Sequence, residues 1–223
     1  MDAVTAAVEA TTLYRFFRAG DEETLALQGV SMTLHPGEFV TVVGPSGSGK
    51  STLLSCLAGI DEPDGGSVRV GGKRMSHQPE TVRARLRADE LGLLLQNRNL
   101  LPHLTVRQNI GLVQRIVKNH RPKSIMPLLD SLGIGSRVDA LPHDLSGGEL
   151  ARAGLAVALA NDPIAVLADE PTGELDGSSE RDVLQALKSR AADGTAILVA
   201  SHSSAVADAS DRIIRLSDGR ITS

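Results

Sequence analysis

The stretch GPSGSGKST, residues 44–52, constrains the fold of this chain more than any other feature. It matches the pattern G-x-x-x-x-G-K-[ST] in full, and it lies between the apolar run EFVTVV and the helix-like run KSTLLSCLAGI. A strand, a glycine-rich turn and a helix in this order place backbone N–H groups around a polyphosphate. The alternative, a glycine-rich turn without a ligand, does not explain a lysine and a serine in register. The motif therefore predicts a loop that binds a nucleoside triphosphate.

The residue types of this loop have separate predicted roles. Lys50 is expected to reach the β and γ phosphates and to act in catalysis, and Ser51 is expected to ligate Mg²⁺. The glycines let the backbone wrap closely around the phosphates. The residues predicted to bind the nucleotide are Gly44, Pro45, Ser46, Gly47, Ser48, Gly49, Lys50, Ser51 and Thr52.

The rest of the chain alternates buried strands with helices. The runs LGLLLQ, IAVLADEP and TAILVASH are apolar throughout, which is typical of parallel strands covered on both faces. Residues 25–38 instead alternate and turn at Pro36-Gly37, which favours antiparallel strands. The pattern predicts one α/β domain over residues 1–223: a phosphate-loop NTPase core with a mainly parallel sheet, an antiparallel β-subdomain and an inserted α-helical subdomain at about 97–160.

Two acids and a histidine follow two of these strands. Asp169 is expected to hold the metal, and Glu170 to activate the attacking water as a general base. His202 ends the next predicted strand, and parallel strands should bring it to the same sheet edge, within reach of the γ-phosphate or the water. Alone, the acids would be a helix cap and the histidine a solvated or core residue. The phosphate loop favours the catalytic interpretation.

Charge and composition exclude several classes of protein. A net charge of −4 argues against a general nucleic-acid binder. No apolar run approaches the roughly 18 residues of a membrane span, and the single Cys56 fits a reducing compartment. We therefore expect a cytoplasmic protein whose membrane role, if any, comes through a partner.

The segment LSGGE, residues 145–149, begins a predicted helix in an unusual way. Ser146 and Glu149 have the spacing of a capping box, but the two residues between them are glycines, which cost about 1 kcal/mol each inside a helix. Glycines leave the N–H groups bare at the helix end that attracts anions. A plain capping box leaves the glycines unexplained, so the segment indicates an anion-binding helix.

Taken together, these motifs resemble the ATP-binding-cassette (ABC) ATPases over essentially the whole chain. The order of the phosphate loop, LSGGE, VLADEP and ELD at 174–176 is specific to that family. The resemblance implies two copies paired head to tail around two Mg·ATP. The signature residues of one copy would then meet the ATP of the other, namely Ser146, Gly147, Gly148 and Glu149.

The resemblance also implies roles for three further residues. Gln96 matches the residue that senses Mg²⁺ and the water, so it is assigned to catalysis and to the metal. Asp176 matches an acid that contacts the opposite site across the dimer. Adenine is expected to stack on an aromatic near the N-terminus, and Phe17 fits the family register better than Tyr14 or Phe16, although packing would also explain an aromatic there.

Within the family, the chain resembles cassettes of lipoprotein-release, macrolide-export and antimicrobial-peptide-resistance systems. This implies an ATPase that drives a permease, of export type or in mechanotransmission, from the cytoplasmic face of the membrane. Leu150, Ala151, Glu174, Ser201 and Ser203 depart from the usual pattern. The alternatives are a soluble regulatory ABC ATPase with a non-membrane partner, and a scaffold that binds ATP without hydrolysing it, against which Glu170 and His202 argue.

Overall fold

The computed structural model describes residues 5–19, 22–95, 99–117 and 124–222. Its strands are β1 Val8–Ala19, β2 Glu22–Leu34, β3 Phe39–Val43, β4 Gly65–Val70, β5 Lys73–Arg74, β6 Leu91–Leu94, β7 Ala165–Asp169, β8 Ala196–Ala200, β9 Arg212–Ser217 and β10 Arg220–Thr222. Its helices are α1 Lys50–Leu57, α2 Glu80–Glu90, α3 Val106–Ile116, α4 Ile125–Ser131, α5 Gly147–Ala158, α6 Gly177–Ala192 and α7 Ser204–Ala209, with short 3₁₀ turns at Gly135–Arg137 and Pro142–Asp144.

Two sheets organise these elements. The larger has the order β10-β9-β3-β8-β7-β6 and is parallel except for the terminal β9–β10 hairpin. The smaller has the order β2-β1-β4-β5 and is antiparallel. Both the parallel core and the antiparallel subdomain agree with the α/β fold predicted from the sequence.

The side chains of the parallel sheet alternate between two hydrophobic cores. On β7, Ala165 and Leu167 pack in the core that contains α1 and the antiparallel sheet, whereas Val166 and Ala168 pack in the core that contains α5 and α6. Because both faces are covered, apolar residues of either parity are buried. This explains the continuous apolar runs in the sequence.

Helices α3, α4 and α5 lie between β6 and β7 in the chain, within the range predicted for the helical insertion. Helix α3 begins with a capping box in which the Thr105 and Gln108 side chains exchange hydrogen bonds with each other's backbone N–H groups. Its buried residues Val106 and Ile110 join Leu129 of α4 and Leu155 of α5 in the second core. Among the described residues, no helix is long and apolar enough to span a membrane.

The parallel strands direct the functional segments to one edge of the sheet. The carboxyl ends of β3, β7 and β8 are neighbours, and the phosphate loop, Asp169 and His202 follow them. Two strand ends differ slightly from the prediction. Strand β8 ends at Ala200, so His202 lies in the loop after it, and β6 ends at Leu94, before Gln96, which lies outside the described residues.

Candidate nucleotide site

A cleft of about 910 Å³ opens at this edge of the sheet. Its walls come from the phosphate loop, from the turn after β7, from the loop after β8 and from the antiparallel sheet. The lining residues are Phe17, Thr24, Ala26, Ser46, Gly47, Gly49, Lys50, Ser51, Thr52, Asp169, Glu170, Thr172, Gly173, Glu174, Leu175, Glu180, His202 and Ser203. The structure therefore brings together the phosphate loop, the two acids and the histidine that the sequence predicts.

The phosphate loop has a backbone that requires glycine at position 49. Gly49 has a φ of 103°, and a Cβ there would approach the Ala26 carbonyl oxygen to 2.4 Å. Gly47 also has a positive φ, of 79°, but a Cβ at this position would meet nothing within 4 Å. Helix α1 begins at Lys50, within the phosphate-loop motif, and its first three residues line the cleft.

Lys50 is buried at the base of the loop. Its ammonium group donates to the carbonyl oxygens of Gly44 at 2.8 Å and of Pro45 at 3.0 Å. These bonds hold the cation against the loop that the sequence predicts to bind phosphates. A phosphate oxygen at the same place would accept the charge-assisted hydrogen bonds that these carbonyls now accept.

Glu170 follows β7 in a left-handed backbone conformation, with a φ of 47°. Its N–H donates to the Ala200 carbonyl, and its Oε2 accepts from the Ser201 hydroxyl at 3.1 Å. Its Oε1 is buried without a hydrogen bond from any described residue and lies 3.5 Å from Nε2 of His202. A left-handed conformation at a residue with a Cβ is disfavoured and is often found at functional sites. The carboxylate and the imidazole thus form a pair at the cleft.

A further acid in the cleft was missed by the sequence analysis. Oε1 of Glu180, in the first turn of α6, accepts hydrogen bonds from the hydroxyls of Thr172 at 3.0 Å and Ser203 at 2.7 Å. The Ser203 N–H in turn donates to Oγ of Ser201. The sequence signal for this cluster was that serines stand at positions 201 and 203, where the resemblance leads one to expect threonine and aspartate.

Phe17 is the aromatic that the structure places in the cleft wall. Its side chain is exposed, and the Arg15 guanidinium lies 4.7 Å from the centre of its ring. Tyr14 packs instead against Gly29 and Gly65, away from the cleft. Of the three candidates in the sequence, the position of Phe17 suits an adenine-stacking residue.

Ser146 caps α5 as predicted, and the cap is reinforced by a cation. The Ser146 hydroxyl accepts from the Glu149 N–H, while Oε2 of Glu149 accepts from the Ser146 N–H. Nε of Arg137 lies 2.7 Å from Oε1 of Glu149, and this hydrogen bond, with the one from Ser146, lowers the pKa of Glu149 to about 2. Glu149 therefore stays ionised and completes the capping box, and none of residues 146–149 lines the cleft of its own chain.

Gly148 has a packing role that the sequence analysis did not foresee. It is buried against α6, and a Cβ at this position would lie 2.4 Å from Oγ of Ser179. Gly147 differs, because a Cβ there would meet only Leu175 at 3.6 Å. The close approach of α5 and α6 thus requires glycine at position 148, whereas packing within the chain places no such demand on position 147.

We expect Gly148→Ala to lower the free energy of unfolding by about 1–2 kcal/mol, because overpacking at Ser179 outweighs the gain in helix propensity. Gly147→Ala is the matched control and should be neutral or slightly stabilising. Urea unfolding followed by far-UV circular dichroism measures both, since the chain has no tryptophan for fluorescence. Equal stabilities for the two variants would contradict the packing role.

Asp176 is the N-cap of α6. Its carboxylate accepts from the backbone N–H groups and the hydroxyls of Ser178 and Ser179, which lowers its pKa. Asp176 does not line the cleft, and its predicted contact with an opposite site stays a prediction. For Gln96, which lies outside the described residues, both assigned roles stay predictions as well.

The residues that line the cleft fit a magnesium ion. The Ser51 hydroxyl and the Asp169 carboxylate are hard oxygen donors of residues that line the cleft, one from the phosphate loop and one from the end of β7. Magnesium usually takes only one or two protein oxygens and completes its shell with phosphates and water. In the described part of the chain, no group of three or more His, Cys, Asp or Glu residues is arranged to hold a metal without such ligands.

Comparisons with known proteins show which proteins this chain is similar to. A model of the ABC transporter family matches residues 27–173, well over half of the chain. The macrolide export ATP-binding/permease protein MacB of Rhodospirillum rubrum is 40% identical over 217 residues, which cover 96% of this chain and 33% of the relative. An uncharacterized ABC transporter ATP-binding protein of Methanocaldococcus jannaschii is 38% identical over 96% of this chain and 97% of its own length. The chain thus spans about a third of the length of the macrolide-export relatives that it matches.

Solved structures are similar over nearly the full length. A bacterial ABC transporter cassette solved as a dimer has a TM-score of 0.89 at 31% identity, and the match covers 97% of both chains. The same values describe a cassette dimer in a post-hydrolysis state, bound to ADP and Pi.

Proposed function

The chain belongs to the ABC transporter family. From this premise, we propose that it hydrolyses ATP, that two copies close head to tail around two Mg·ATP, and that their motion drives a membrane permease. One observation carries the head-to-tail arrangement. The phosphate loop, Asp169, Glu170 and His202 line one cleft of the chain, whereas α5, the helix capped by Ser146, contributes no residue to its lining. A helix N-terminus that is suited to bind an anion, but does not line the cleft of its own chain, is available to bind the ATP held by a second copy.

ATP binding uses the groups that line the cleft. The backbone N–H groups of the phosphate loop and the Lys50 ammonium hold the β and γ phosphates, and adenine stacks on the ring face of Phe17 that Arg15 leaves open. Ser51 and Asp169 would hold a Mg²⁺, which when bound would neutralise charge on the phosphates. The partner's α5 N-terminus, with Ser146 and its glycines, binds the γ-phosphate from the other side.

Hydrolysis requires a water in line with the γ-phosphorus. Glu170 accepts a proton from this water as the oxygen–phosphorus bond forms and the bond from the γ-phosphorus to the β–γ bridging oxygen breaks, giving ADP and phosphate. Oε1 of Glu170 suits this task, because it is the carboxylate oxygen that no described residue hydrogen-bonds. His202, at 3.5 Å from it, positions the water or the γ-phosphate.

The membrane partner is inferred from the relatives. Relatives named as macrolide export ATP-binding/permease proteins align with this chain over about a third of their length, and the alignment covers nearly all of the chain. We infer that a permease on the membrane receives the closing and opening motion of the cassettes, with export as its direction. Purification from membranes with a polytopic partner would support this, whereas recovery only with non-membrane partners would favour a soluble regulatory ATPase.

The purified chain is expected to hydrolyse ATP only with Mg²⁺, and Lys50→Ala should lower the rate by at least about 100-fold, because the loop then lacks the cation that meets the phosphates. Phosphate release measures the rate. Lys188→Ala, which removes an exposed lysine of α6, is the control and should match the wild type. Hydrolysis that persists in Lys50→Ala, or with excess EDTA, would overturn the proposed chemistry.

A further inference from the structure

Glu180 connects the two loops that carry Glu170 and His202. It is in the first turn of α6 and lines the cleft. One of its carboxylate oxygens accepts from Thr172, which follows Glu170 by two residues, and from Ser203, which directly follows His202. A single atom of α6 thus holds the turn after β7 and the loop after β8 together.

The connection continues through hydrogen bonds to the proposed base. The Ser203 N–H donates to Oγ of Ser201 at 3.1 Å, and the Ser201 hydroxyl donates to Oε2 of Glu170 at 3.1 Å. A hydroxyl has one proton to donate. Because Oγ of Ser201 already accepts from the Ser203 N–H, the Ser201 hydroxyl donates its one proton to Glu170.

Two residues near Glu180 depend on contacts with their surroundings, Thr172 for a hydrogen-bond partner and Glu170 for its backbone conformation. Thr172 is only 3% exposed, so its hydroxyl requires a partner within the protein, and Glu180 supplies it. Glu170 holds a left-handed backbone conformation that a residue with a Cβ disfavours. Such a conformation persists when the surrounding structure fixes it, and the turn that follows Glu170 is fixed through Thr172.

We propose that Glu180 is a positioning residue for ATP hydrolysis, which holds Glu170 and His202 in register without contacting the nucleotide. This rests on the proposed function, since it presupposes that Glu170 and His202 act on the attacking water. Glu180 acts as a hydrogen-bond acceptor here, so an amide oxygen at the same place should serve almost as well as a carboxylate.

The test compares Glu180→Ala, Glu180→Gln and Ser203→Ala in steady-state ATP hydrolysis. Removal of the acceptor in Glu180→Ala should lower kcat by about 10-fold while KM for ATP stays within about twofold, because misplacement of catalytic groups acts on the chemical step. Glu180→Gln should keep kcat within about twofold of the wild type, and Ser203→Ala should lie between them. Asp208→Ala, which removes an exposed carboxylate of α7, is the control.

The outcomes separate this inference from the proposed function. A wild-type chain that hydrolyses no ATP would overturn the proposed function itself. With an active wild type, an unchanged kcat in Glu180→Ala, or an equal loss in Glu180→Gln and Glu180→Ala, would overturn the positioning role. If Glu180→Ala unfolds at the assay temperature, Ser203→Ala decides: a lower kcat with unchanged KM supports the role, and wild-type kinetics reject it.

Discussion

Replacing Glu170 with glutamine is expected to lower ATP turnover by about 10²- to 10⁴-fold and to trap a dimer in the presence of Mg·ATP. The amide retains an oxygen that accepts from the Ser201 hydroxyl, so the loop geometry should survive. It lacks the basicity to take a proton from water. In the proposed cycle hydrolysis reopens the pair, so the closed form should accumulate in this variant.

Size-exclusion chromatography with light scattering measures this dimer. The Glu170→Gln chain should elute as a dimer with Mg·ATP and as a monomer with ADP. Adding Ser146→Arg should abolish the dimer, because a long charged side chain then occupies the helix end that meets the phosphate, whereas Ser146→Ala removes only the cap and costs about 1 kcal/mol of helix stability. A Glu170→Gln chain that hydrolyses ATP at the wild-type rate would contradict the assignment of the base.

The fold was predictable because continuous apolar runs in the sequence directly indicate which strands are buried. Runs such as VLADEP and ILVASH are apolar until a polar residue ends them, and a parallel sheet covered on both faces produces such runs. Since parallel strands end at one edge, Asp169 and His202 had to approach the phosphate loop whatever their exact strand ends. The prediction was least accurate at those ends, where the strand gives way to the loop that carries the chemistry.

The contacts between distant segments were not predictable in the same way. An acid in the first turn of a helix is common, because its negative charge interacts favourably with the helix dipole. The position of Glu180 in the sequence therefore did not indicate its hydrogen bonds to Thr172 and Ser203. Gly148 shows the same limit. Its lack of a side chain indicated an anion, yet the contact with Ser179 supplies a reason inside the chain that only the packing of α5 on α6 reveals.

An exchange experiment tests the head-to-tail arrangement more directly than any single variant. Lys50→Ala disables the phosphate loop of a chain, and Ser146→Arg disables the helix end that it offers to its partner. Each variant alone should be inactive. In a mixed dimer, however, the intact loop of the Ser146→Arg chain meets the intact helix of the Lys50→Ala chain, so one complete site forms.

Mixing the two variants should therefore restore activity that neither has alone. The restored rate is about a quarter of the wild-type rate when the chains pair at random, because half of the dimers are then mixed and each has one of its two sites intact. The control mixture combines Lys50→Ala with Glu170→Gln. Both of these changes lie in the cleft that a chain forms by itself, so every site of that mixed dimer contains a defect and no activity should return. No recovery in the first mixture would mean that the helix capped by Ser146 does not serve the partner's ATP. Recovery in the control would mean that Lys50 and Glu170 of one chain do not act on the same ATP.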